Sequence, residues 1–167
     1  MSNILTIRLY GDACLRKKST AVKAVTSQTK KFIESMIATM HEHKGIGLAA
    51  PQVGINERII VVDIGEGPVA LINPKVNFYQ GSAVLEEGCL SIPGVLVKVK
   101  RPQKISAEYL NENNKLVEKE CEDLLARVIL HEIDHLNGKL IIDYAPLRQK
   151  IKLRKKLKEI RHAHSSR

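Results

Sequence analysis

His131-Glu132-Ile133-Asp134-His135 sets two imidazoles four residues apart, with a carboxylate beside the first. Positions i and i+4 share one face of an α-helix, so this segment can chelate a single divalent ion if it is helical. The flanking sequence meets that condition. Leu124, Leu125, Val128, Ile129, Ile133 and Leu136 recur at helical spacing, Glu122 and Asp123 fall in the first turn, and Gly138 supplies a stop. Apolar neighbours imply that the histidine face is largely buried, where an imidazole pair needs a partner and a metal supplies one. Glu132 then stands beside the ion, placed to take a proton from water activated by it. The plainer alternative is a helix with two surface histidines.

Composition narrows the setting. A chain of 167 residues suits one domain with a sizeable core. It contains no run of 18 apolar residues, so no membrane span is expected. The stretch from Met1 to Tyr10 carries Arg8 and lacks the layout of a secretory signal. Cys14, Cys89 and Cys121 form an odd, sparse set that argues against a disulfide framework and for a cytoplasmic location, where a reduced thiol is free to bind metal. The net charge of +9 is concentrated at one end: residues 148–167 carry +8 and the remainder +1. Residues 1–145 therefore read as a near-neutral catalytic body and 146–167 as a basic helix of the same domain. Pro146 is expected at its first position, with Leu147, Ile151, Leu157 and Ile160 as a broken apolar stripe. Such a helix can present a polyanion-binding face.

Along the chain, residues 27–43 read as a helix with Phe32, Ile33, Met36, Ile37 and Met40 on one face and Thr26 or Ser27 as cap. His41 and His43 fall in its last turn and read as end-of-helix residues rather than ligands. From 58 to 120 the pattern changes to short β-like runs. Ile59–Val62 is wholly apolar, Val95, Val97 and Val99 alternate with polar or exposed positions, and Asn111–Lys115 is a turn between strands 104–110 and 116–121. The expected fold is α+β: antiparallel β-sheets packed around a central helix carrying the His-Glu-x-x-His motif, with a C-terminal helix.

A catalytic site of this type takes a third protein ligand. Ile141 occupies the position where an extended motif would need a third histidine, and Glu159 lies among the cations of the tail. Cys89, in the glycine-containing turn Glu86-Glu87-Gly88-Cys89-Leu90-Ser91, is preferred, with Cys14 and Cys121 as rivals. Gly45-Ile46-Gly47-Leu48-Ala49-Ala50-Pro51-Gln52-Val53-Gly54 reads either as a tight connection or as a wall for a substrate backbone, with Gln52 supplying an amide N–H.

Taken together, GIGLAAPQVG (45–54), EGCLS (87–91) and HEIDH (131–135) closely resemble, in the same order, the three motifs of peptide deformylases. The resemblance implies removal of the formyl group from formyl-methionine at the start of newly made polypeptides. A metal-activated hydroxide would attack the formyl carbon and release formate. Carried onto matching positions, it makes Cys89, His131 and His135 metal ligands and Glu132 the acid/base, with Gln52 and the Leu90 backbone N–H holding the developing oxyanion. The ion implied is Fe2+, one per chain, with Zn2+ or Ni2+ able to substitute. Substrate backbone is expected along Ile46–Leu48 and Gly88–Leu90, including Gly47, and a methionine side chain against Ile46 and Val128. Glu87 and Arg101 are expected to pair and brace the Cys89 loop. The implied partners are N-formyl-Met nascent peptides and, through the basic helix, the ribosome; no membrane and no sequence-specific nucleic acid is expected. Leu130, Ile141 and Tyr144 stand where the family often has Gln, Phe and Arg, which bears on pocket detail and C-terminal packing.

Overall fold

A computed structural model describes residues 3–165 of the chain. Helix α1 (Ser27–Glu42) begins at a reciprocal cap: the Thr29 amide donates to the Thr26 hydroxyl, and the Thr26 amide donates to the Thr29 hydroxyl. Its face of Ile33, Met36 and Met40 is fully buried. Strand β2 (Ile59–Val62) explains the wholly apolar run, because both of its faces are covered. Ile59 and Val61 join the α1 core, while Ile60 and Val62 join a second core built on helix α2 (Asp123–Leu136).

β2 is the second strand of an antiparallel sheet ordered β1 (Gly47–Ala49), β2, β3 (Val69–Gln80), β6 (Lys104–Leu110) and β7 (Leu116–Glu122). A separate two-stranded ribbon pairs β4 (Ala83–Glu87) with β5 (Val97–Arg101). The expected β6–β7 hairpin is present, with Leu110 opposite Leu116 across its turn. β7 feeds directly into α2, which the main sheet covers on one side. From the ribbon side, the Arg127 guanidinium donates to the carbonyls of Ala83 and Val99. The antiparallel α+β arrangement around the His-bearing helix is thus as expected.

Several boundaries differ. The Gly45–Gly54 stretch, expected as a loop, contains edge strand β1 followed by a 3-10 turn over Ala50–Val53. β3 is longer than a short run because it tolerates a bulge. Asn73, at φ 53, exchanges two side-chain bonds with the backbone of Val22 (2.8 and 2.9 Å) and carries the strand past Pro74. β5 starts at Val97, leaving Val95 buried but outside the strand.

Helix α3 (Leu147–Ser165) begins one residue after Pro146, whose carbonyl accepts from Gln149 and Lys150. Its contact stripe also differs from expectation. Leu153, Leu157 and Ile160 pack on a third core with Leu15, Ile92 and Val97, whereas Leu147 and Ile151 are 73% and 64% exposed. The i, i+4, i+7 set that faces the body keeps Leu157 and Ile160 of the expected stripe and takes Leu153 in place of Leu147 and Ile151.

Candidate active site

α2 and the turn after β4 bring three potential donors together. Cys89 Sγ lies 3.3 Å from His135 Nε2, and the donor atoms of Cys89, His131 and His135 all fall within 4.8 Å of one another. One thiol and two imidazoles form a donor set suited to a tetrahedral transition-metal site with one open position. Among the described residues no other such cluster occurs. The rivals lie elsewhere. Cys14 donates to the Pro51 carbonyl at 3.3 Å, and burial, aided by Asp12, pushes its thiol up to about 12. Cys121 is buried in the α2 core, and Glu159 is exposed on α3.

Burial governs the protonation of the cluster. It holds His135 well below its ordinary pKa, helped by the charges of His131 and Arg101, so this imidazole is neutral and competent to bind a cation. Burial would also lower His131, but hydrogen bonds with Cys89 and Glu87 outweigh it and raise the group. Glu132 is buried, and its Oε2 has no protein partner. Desolvation pushes its carboxyl up to about 7, against the pull of His131 and Arg101. A buried, unpartnered carboxyl oxygen beside a donor cluster fits a site that handles a cation and a proton.

Two walls flank this centre. On the β1 side, a Cβ at Gly47 would lie 2.7 Å from Val128 Cγ1 and closer still to Glu132 Oε1, so only glycine lets the strand run against Glu132. The opposite wall is less restrictive: a Cβ at Gly88 would come no nearer than 3.4 Å to the atoms around it. The Ala49 amide donates to Gln52 Oε1 at 2.8 Å, which fixes the orientation of the buried amide. Gln52 Nε2 is thereby turned toward Ser91 Oγ (3.3 Å) and Cys89 Sγ (3.5 Å). Gln52, Ile46, Gly47, Gly88, Leu90 and Val128 all line a cavity of about 600 Å³ that reaches Cys89, His131 and Glu132. Leu124, expected in the core stripe of α2, is instead 48% exposed and joins this lining.

Behind the cluster, Arg101 grips Glu87 through two bonds of 2.6 and 3.0 Å, giving the expected pair. The sequence reading missed its continuation. Arg127 Nη1 donates to Glu87 Oε1 at 2.7 Å, Arg101 reaches Asp134 at 2.9 Å, and the Tyr144 hydroxyl donates to Asp134 at 2.8 Å. A signal for Arg127 was present: it is a charged residue in an apolar helical run, one turn before His131.

The family model for polypeptide deformylase matches residues 4–151, a span containing every residue of this site. The chain belongs to the polypeptide deformylase family. It is similar to the peptide deformylase of Thermotoga maritima, 48% identical over 155 residues covering 92% of this chain and 94% of that one. The crystal structure of peptide deformylase from Thermotoga maritima superposes with a TM-score of 0.84 at 47% identity, covering 86% of this chain and 99% of that one. A peptide deformylase structure from Legionella pneumophila gives 0.91 at 34% identity over 99% of both chains. As a member of this family the chain is a hydrolase that removes the formyl group from newly made peptides. Among the described residues no helix is long and apolar enough to cross a membrane.

Proposed function

We propose that Cys89, His131 and His135 hold one Fe2+ ion, for which Zn2+ or Ni2+ can substitute, and that Glu132, Gln52 and the Leu90 backbone N–H carry out deformylation around it. The observation that carries this reading is the clustering of a thiol and two imidazoles beside an unpartnered buried carboxyl oxygen, with Cys89, His131 and Glu132 reaching one cavity. When bound, such an ion supplies Lewis acidity and brings the pKa of water from 15.7 to about 7.

The chain's own residues perform the remaining steps. Glu132 takes the proton of the attacking water and returns it to the peptide nitrogen as the C–N bond breaks, leaving formate and a free amino terminus. Burial raises this carboxyl above the ordinary glutamate range, which strengthens it as a proton acceptor. Gln52 Nε2, oriented by Ala49, donates to the oxygen that gains charge as the formyl carbon is attacked, and the Leu90 backbone N–H donates from the other wall. The substrate backbone lies extended between Ile46–Leu48 and Gly88–Leu90, with Gly47 allowing its close approach. Its methionine side chain enters the apolar side of the cavity at Ile46 and Val128. That contact discriminates by only about 1–3 kcal/mol per methylene, so other N-formyl peptides are accepted more slowly.

The test is amine release from formyl-Met-Ala-Ser by protein loaded anaerobically with Fe2+, with Glu132→Gln as control. Release by the wild type alone supports these assignments. Equal release by both proteins removes Glu132 from the mechanism.

A cytoplasmic location and a ribosomal partner belong to the same reading. All three cysteines are free, as a reducing compartment requires, and α3 carries the chain's excess of cations. Because Ile160 is buried in the third core, deleting α3 would disturb the body. Charge reversal at exposed Lys152 and Lys155 is the cleaner test, and unchanged ribosome cosedimentation would exclude this face of α3 as the contact.

A further inference from the structure

The end of α1 gives the cavity a charged rim that the chemistry above does not use. Lys44 closes the helix in the left-handed region at φ 55, its amide bonded to His41 O while the Gly45 amide reaches Met40 O. Glycine is the residue best suited to such a helix end. Here a long cationic side chain stands at that position, exposed, and lines the cavity together with His43. Among the described residues its ammonium has no ion-pair partner. Of the other charges that line this cavity, Glu86 is exposed on β4 with Lys98 as its cross-strand neighbour, and Glu87 and Arg127 are paired beneath the surface. The α1 side of this mouth is therefore marked by the Lys44 ammonium.

The direction of β1 decides which part of a substrate meets that charge. Gly47 touches Glu132, where the formyl group reacts, and Ile46, Gly45 and Lys44 lead away from it. An extended peptide advances about 3.3 Å per residue, so its third residue lies about 7 Å beyond its first, within reach of a cavity that both Gly47 and Lys44 line. Side chains alternate along an extended chain, so the first and third residues point the same way. If methionine at the first position enters the cavity, the third side chain turns toward the same cavity, at its Lys44 end.

We propose that Lys44, seconded by His43, is a specificity residue that favours N-formyl peptides with an acidic side chain at the third position. The inference rests on the deformylase reading of the site. An ion pair at a solvent-facing rim acts on binding and is screened by salt. Its effect therefore lies in KM rather than kcat, because the third residue is remote from the reacting bond.

The experiment compares kcat/KM for formyl-Met-Ala-Glu-amide, formyl-Met-Ala-Gln-amide and formyl-Met-Ala-Lys-amide on the metal-loaded protein. Wild type is expected to prefer Glu over Lys by about 5-fold at low salt, through KM, with the preference collapsing at high salt. Lys44→Arg keeps the preference, and Lys44→Glu reverses it. Calorimetric binding of the three peptides to metal-loaded Glu132→Gln protein should give the same order without turnover. A Glu-to-Lys ratio that is equal in wild type and Lys44→Glu, or a preference carried by kcat, overturns the proposal. Failure to turn over even the neutral Gln peptide removes the deformylase reading and this inference with it.

Discussion

Glu87 Oε2 lies 2.9 Å from His131 Nδ1, so the carboxylate gripped by both Arg101 and Arg127 also orients an imidazole of the donor cluster. Glu87 thus pairs with two buried guanidinium groups, one of which, Arg101, also reaches Asp134, and it steers His131. Glu87→Gln removes the charge while keeping the shape, leaving both cations short of compensation. Breaking a buried pair of this kind costs about 3–5 kcal/mol, and loosening a ligand's outer partner costs about 10–100-fold in metal affinity. Urea unfolding of the metal-free protein and a competitive metal titration check the two effects separately. A stability loss under about 1 kcal/mol together with unchanged affinity would contradict this role.

The same clamp governs behaviour in acid. Burial pushes the Glu87 carboxyl up, but bonds with His131 and Arg101 and their charges outweigh it, holding the group at about 2 against an ordinary 4.5. A carboxyl depressed in the folded state stabilises the fold above its unfolded pKa, and the contribution is lost as pH falls through the folded value. The window therefore runs from 4.5 down to about 2. At 1.36 kcal/mol per pH unit, the ceiling on the loss is about 3 kcal/mol. The urea midpoint of the wild type should fall more steeply across this window than that of Glu87→Gln. Parallel curves would show that Glu87 is not the titrating group.

How far the chain could be read by eye follows from the range of each interaction. His131 and His135 were legible because four residues of helix set their separation. The β6–β7 hairpin was legible because its turn residues are local. Cys89 was only weakly preferred over Cys14 and Cys121 from its glycine-containing turn, and the motif resemblance strengthened the choice, since the relation of a β4 turn to an α2 face depends on how ribbon and helix pack. The length of β3 was hidden because Asn73-Pro74 looks like an interruption, and the stabilising bonds come from Val22, far away in sequence. The facing stripe of α3 was legible in Leu157 and Ile160 but misread in its first turns: hydropathy marks Leu147 and Ile151, while the direction in which the chain leaves Ala145 selects Leu153.

Glu132 allows a kinetic prediction with a definite sign. Burial pushes its carboxyl up to about 7, and His131 and Arg101 pull it down. A bound dication adds to that pull, so in the loaded enzyme the acid limb of kcat/KM falls below this value. Turnover is lost as pH drops through the limb because a protonated Glu132 cannot accept the water's proton. Glu132→Gln should keep its metal and lose about 10²–10⁴-fold in kcat. Metal retention with turnover within tenfold of wild type would refute the acid/base role.

Gly47→Ala tests whether the Glu132 carboxyl depends on the strand beside it. The added Cβ would lie 2.7 Å from Val128 Cγ1 and 3.0 Å from Glu132 Cδ, distances that require something to move. β1 cannot simply retreat, because Gly47 is paired with Val62 in the sheet. Nor does the backbone need glycine's freedom here, since Gly47 is not among the glycines with positive φ. The cost is therefore a displacement of Glu132 or Val128. A shift of about 1 Å in a reacting group can cost about 10²-fold in rate, whereas an added methyl in a packed site costs about 1–3 kcal/mol of stability. The expected outcome is a kcat about 100-fold lower with metal content unchanged. Adding Val128→Ala makes room on one side only, so it should restore stability more than turnover. Full activity in Gly47→Ala would mean that Glu132 is not held by β1, and that the contact between them is only packing.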